Sequence, residues 1–154
     1  MCYSGIMIYA TDTEFNGFGG ELISLALVPL HGEHEPLYIV LDFDETAIHP
    51  WVAEHVIPHL GDQPRVPRET AARMVAAYLN RSAKPVVVAD WPEDLSQLLM
   101  LSVIGPGKMV RMPDVTYQYV RLEGFDAAVD SKTPHNALED AIALRDHLIA
   151  LKTD

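Results

Sequence analysis

At 154 residues, with 49% apolar and 21% charged side chains, the chain has the composition of a single globular domain over residues 1–154 rather than a disordered segment. Its formal charge of −11, from 22 acidic and 11 basic residues, argues against non-specific binding to phosphates, unless some acids hold divalent cations and invert the local field. One cysteine, Cys2, excludes an internal disulfide framework and fits a reducing, cytoplasmic setting, and no apolar run approaches the ~18 residues of a membrane span.

The opening MCYSGIMIYA lacks the basic segment of a secretion signal and reads as a first strand, Tyr3–Thr11. Glu21–Val28 and Leu37–Leu41 share its richness in Ile, Leu, Val and Tyr. The turn-formers NGFGG and HGEHEP join the three into an antiparallel meander. From Trp51 the period becomes helical. WVAEHVIPHL is a short helix ended or bent by Pro58, and RETAARMVAAYLN is a second with Ala71, Met74, Val75, Tyr78 and Leu79 on one face. PVVVAD, Pro85–Asp90, suits a buried strand reached by a crossover and therefore parallel to its neighbour. PEDLSQLLMLSVIG follows as a helix from Pro92 to Gly105. Residues 106–134 are broken by Pro and Gly, with VTYQYV as a candidate last strand. The closing helix runs from Pro134 to Lys152, with Thr133 as N-cap and Pro134 at its first position. Ala137, Ala141, Leu144, Leu148 and Leu151 form its core stripe. There is no internal repeat or linker. The element order resembles the ribonuclease H-like arrangement: α/β, a mixed five-stranded sheet of three antiparallel and then parallel strands, flanked by helices.

Asp12 and Glu14 stand two apart on a strand, so their side chains leave one face about 7 Å apart. Carboxylates that reach a common point from that spacing suit a hard divalent cation; the plain alternative is a solvated strand end. Asp140 lies at the margin of the last helix's core stripe, where an acid needs a partner: a metal, an arginine or another element's terminus. On a continuous helix His135 would stand about 140° around and about 7.5 Å along from Asp140, too far to share one ion as an i, i+4 pair does. That placement suits Asp140 to metal and His135 to proton transfer, since imidazole titrates near neutral pH; the alternative is a surface histidine. Asp90, ending its strand, and Asp94, in the following helix's first turn, are two further candidates. Each equally suits an ordinary helix N-terminus. His55 and His59 are spaced i, i+4 but have Pro58 between them and no third ligand nearby, which favours a surface or packing role. Trp51 and Trp91 read as packing residues.

Together these pieces resemble the DEDDh 3′–5′ exonuclease family. DTEFNG matches its Asp-x-Glu motif at Asp12 and Glu14, and HNALED matches His-x-Ala-x-x-Asp at His135, Ala137 and Asp140. ADWPEDLSQL matches the remaining motif at Asp94, with Glu93 where an aromatic is usual and Asp90 as a rival. The likeness runs from Tyr9 to Leu148, weakest over 106–130, and within the family is greatest to the small mycobacterial-type exoribonucleases. It implies two divalent cations, Mg²⁺ or Mn²⁺, held by Asp12, Glu14, Asp94 and Asp140, with His135 as general base. It also implies release of nucleoside 5′-monophosphates from the 3′ end of single-stranded RNA or a 3′ overhang, with DNA left open. Phe15, Asn16 and Gly17 would line the terminal-nucleotide pocket, although Phe15 equally reads as core and Gly17 as a plain turn. Relatives suggest a homodimer. The rival readings are a non-catalytic nucleic-acid-binding domain and a ribonuclease H-type endonuclease.

Overall fold

The computed structural model describes residues 5–32 and 34–152; Cys2 and the start of the expected first strand at Tyr3 lie outside them. The first strand, β1 (Ile6–Phe15), pairs antiparallel with β2 (Leu22–Pro29), which pairs antiparallel with β3 (Leu37–Leu41). Every residue of β2 is buried, as its nearly unbroken apolar run requires of a strand covered on both faces. A two-residue strand, β4 (Arg65–Val66), joins the far edge parallel to β3. On the other side β5 (Lys84–Ala89) runs parallel to β1, and β8 (Thr116–Tyr119) runs parallel to β5. The mixed sheet therefore has the order β4-β3-β2-β1-β5-β8. It has six strands where five were expected; β4 is too short to leave a pattern in the sequence.

Alternating side chains send β1 into two different layers. Tyr9, with Leu25 and Leu27 of β2, packs against α2 (Arg68–Leu79) and α3 (Pro92–Met100). On the opposite face lie α1 (Pro50–His55) and α5 (Ala137–Leu151); Ala26 and Val28 of β2 meet Ala137 and Ala141 there. In α2 the expected stripe holds except at Met74, which is exposed while Ala72 turns inward. A 3-10 turn, Ile57–His59, follows α1 where Pro58 stops the helix.

Three boundaries depart from the sequence pattern. The expected helix to Gly105 ends at Met100, and Val103–Gly105 (β6) turns back as a hairpin with Lys108–Met109 (β7). The last helix starts at Ala137 rather than Pro134. Its N-cap is Asn136, not Thr133: the Asn136 Oδ1 accepts from the Glu139 N–H at 3.0 Å. A single short helix, α4 (Ala127–Asp130), lies in the punctuated stretch before it. In α5, Leu148 is half-buried and Leu151 exposed, so the core stripe ends at Leu144. Among the described residues no helix is long and apolar enough to cross a membrane.

β1 extends past Thr11 through the acidic motif, because β2 continues to pair with it opposite Asp12 and Glu14. Pairing with β5 stops at Ala10, so beyond that point β1 has a neighbour on one side only and the sheet opens a notch beside the acids. The loop that leaves β1 closes tightly: Asn16 N–H donates to the Glu21 carbonyl at 2.8 Å and Gly20 N–H to the Gly17 carbonyl at 2.9 Å. A Cβ at Gly20 would overlap the Asn16 carbonyl oxygen, a backbone atom that cannot swing aside. Gly20→Ala is expected to lower stability by about 1–3 kcal/mol, read from urea unfolding midpoints.

Candidate active site

The notch beside β1 is the floor of a cleft of about 870 Å³ that brings together Asp12, Glu14, Asp94, His135 and Asp140. Asp12 and Glu14 come from β1, Asp94 from the first turn of α3, and Asp140 from the first turn of α5. Asp94 is buried and fixed by Thr13, whose N–H and Oγ1 donate to its Oδ1 at 3.1 and 2.7 Å. Asp94 lines the cleft; Asp90, which follows β5, does not line it but lies near enough for its charge to raise the pKa values of Asp12, Asp94 and Asp140.

His135 differs from its expected position. It lies outside α5 in a left-handed backbone conformation, φ 65°, just before the Asn136 cap. Its peptide N–H donates to Asp140 Oδ2 at 3.1 Å. Helical spacing does not apply to it, and the separation from Asp140 collapses: potential ligand atoms of Glu14, His135 and Asp140 lie within 4.8 Å of one another.

Among the described residues no Lys or Arg pairs with these acids: the Lys and Arg ion pairs join Arg65 to Glu45, Arg73 to Glu69 and Arg145 to Asp146, none of them at the cleft. Asp12 Oδ2 and Asp140 Oδ1 are buried with no hydrogen-bond partner. Burial first, and then the neighbouring carboxylates Asp94 and Glu14, hold Asp12 well above the usual carboxylate range. Burial, with Asp140 and Asp94 adding to it, pushes Glu14 up to about 8. Asp94 rises to about 7 through burial despite the opposing Thr13 bonds. Asp140 rises to about 6 for the same first reason, opposed in part by the nearby Ser131 hydroxyl and then by the His135 N–H. Bare, buried carboxylate oxygens are the kind of donor that a hard divalent cation takes. His135 is shifted the other way: burial, then His55 and His59, lower its pKa and favour neutral imidazole.

The sequence reading missed the cleft's aromatic walls. Trp51 and Trp91, read as packing residues, are each about half exposed and line the cleft. Trp51 stacks on His55 with centroids 4.6 Å apart and meets His135 edge-on at 5.0 Å. On the other wall Phe18, almost fully exposed, stands 6.3 Å from Trp91. Phe15 is half-buried and lines the cleft, and Gly17 lines it at φ 77°. The Asn16 amide is spent on the 45–49 segment: its Nδ2 donates to the Ala47 carbonyl and its Oδ1 accepts from the His49 N–H, both at 2.8 Å. It fastens the segment that leads into α1 and Trp51. Glu93, the departure from the family motif, accepts from the Gly19 N–H at 2.6 Å, and Gln97 donates to the Gly20 carbonyl at 2.9 Å. Helix α3 thus grips the loop that carries Phe18. Of the missed positioning residues, only Asn136 left a signal, in the Asn-x-x-Glu spacing of a cap.

Raised carboxyl pKa values mean that the fold binds more protons than the unfolded chain, from the ordinary carboxyl range near pH 4 up to about pH 8 at Glu14. Metal-free protein is therefore expected to lose stability as pH rises through that window. Mg²⁺ or Mn²⁺ is expected to raise the melting temperature, and more at the alkaline end; thermal melts with EDTA or metal across the window check this. The chain matches no protein-family model and no curated protein.

Proposed function

We propose that the chain is a divalent-metal-dependent 3′–5′ exonuclease of ribonuclease H-like fold that acts on RNA. The observation that carries this reading is the convergence of four carboxylates, two of them with bare buried oxygens, beside a histidine biased towards its neutral form. Asp12, Glu14, Asp94 and Asp140 would hold two cations, Mg²⁺ or Mn²⁺. Such a pair stabilises the attacking and departing oxygens of an in-line phosphoryl displacement.

The remaining work falls to the chain's own groups. Thr13 keeps Asp94 aimed at the site, and the His135 N–H keeps one oxygen of Asp140 occupied so that the other faces its neighbours. The His135 ring, neutral at working pH, takes the proton of the attacking water. Trp51, Phe15 and Phe18 offer faces against which bases of any identity can stack, which favours a substrate read by shape and not by sequence. The exposed walls also favour a single strand with splayed bases over a duplex.

A second reading rests on the 4.8 Å grouping of Glu14, His135 and Asp140, in which His135 is itself a ligand. The two separate on one variant. If His135 is the base, His135→Ala loses roughly 10²–10⁴-fold in kcat with metal affinity retained. If it is a ligand, metal affinity falls with the rate. For the function itself, 5′-labelled RNA with Mg²⁺ or Mn²⁺ is expected to yield a ladder of progressively shorter products, abolished by EDTA and by Asp12→Ala. A single internal cut, or no cleavage with either metal, overturns the reading.

A further inference from the structure

The two ends of β5 meet opposite chemistry. Its C-terminal end approaches the carboxylate cleft, while its N-terminal end opens on a groove between residues 80–85 and 111–117. Two adjoining hollows of about 960 and 610 Å³ share Ala83, Pro85 and the Arg111–Asp114 segment. Leu99, Met109, Met112, Val115 and Tyr117 give the larger hollow an apolar lining. Arg81, Lys84 and Arg111 supply the charge, and among the described residues Asp114 is the only acid on either wall. In a chain with a net charge of −11 this is a local reversal of sign.

The three cations are also unmatched by carboxylates. Among the described residues none has a carboxylate within ion-pairing distance, and Arg81 rests over the Tyr78 ring at 5.1 Å. Arg68 is a useful contrast, its guanidinium being committed to the Met100 and Val103 carbonyls. Guanidinium and ammonium groups beside an apolar wall match a single nucleic-acid strand, whose phosphates take the charge and whose bases take the wall.

We infer that this groove binds the phosphate backbone of the RNA substrate upstream of its 3′ end, an inference that rests on the nuclease reading above. Lys84 and Asp90 are separated by the length of β5, about 20 Å, so only a strand several nucleotides long engages groove and cleft together. Short substrates use the cleft alone.

The test compares wild type with Lys84→Glu/Arg111→Glu, and with Arg111→Lys as the charge-preserving control. Substrates are a dinucleotide and an RNA oligomer long enough to span about 20 Å, each over a salt series. In the charge-reversed variant the oligomer-to-dinucleotide ratio of kcat/KM is expected to fall about tenfold or more, with the log–log salt dependence of oligomer binding flattened by about 1.4. Arg111→Lys is expected to stay near wild type. An unchanged ratio with an unchanged salt slope overturns the groove and leaves the nuclease standing. A change in sedimentation behaviour of the charge-reversed variant would make the groove a contact between copies, which also overturns it. If wild type hydrolyses neither substrate, the nuclease reading fails instead. The groove is then judged by fluorescence anisotropy of the labelled oligomer, where equal binding by wild type and variant overturns it.

Discussion

The carboxylates of Asp12, Glu14, Asp94 and Asp140 repel one another, and holding them together in a half-dry cleft needs a scaffold that does not yield. β1 supplies it. The strand is central in the sheet, hydrogen-bonded to β2 along its whole acidic stretch and to β5 up to Ala10. Its alternation sends Tyr9 and Thr13 to one layer and Asp12 and Glu14 to the other, so one strand anchors in the α2–α3 core while presenting acids beneath α5. Without that double anchoring, the repulsion would be relieved by side chains swinging apart into water.

The remaining acids are brought in by bonds that bridge long stretches of chain. Thr13 and Asp94 are 81 residues apart in sequence, yet two hydrogen bonds join them. Asn136 ties α5 to the segment after α1 by donating to the His59 carbonyl at 2.7 Å, while capping its own helix. The cleft is thus a junction of four separate segments, around residues 12–18, 49–52, 91–94 and 135–140, and its geometry depends on the packing of every layer.

That dependence explains what could be read in advance. β2 and β3 declare themselves through runs of apolar residues, and the acids on β1 through a spacing that any extended strand converts into a shared face. The end of α3 does not: Leu101, Val103 and Ile104 continue a helical apolar rhythm, but Leu101 and Ile104 pack into the α2–α3 core while Val103 pairs with Met109 in the hairpin. The start of α5 was obscured by Pro134, which favours a first helical turn but here lies outside the helix, because Asn136 finds better partners two residues later. The left-handed turn at His135 follows from those partners, and no local pattern announces it. Trp51 was misjudged because a tryptophan in a short apolar helix reads as core. Its exposure follows from where α1 sits against the cleft.

His135 carries one more implication. An L-residue in the left-handed region costs about 1 kcal/mol relative to an ordinary conformation, and glycine or asparagine sits there more comfortably. If stability alone governed the choice of residue, position 135 would be a natural place for one of them. Under the proposed function, a histidine held in that backbone conformation beside Trp51 and Asp140 would be a concession of stability to activity. On that proposal, a stabilising substitution and a silencing one would be the same change at this position.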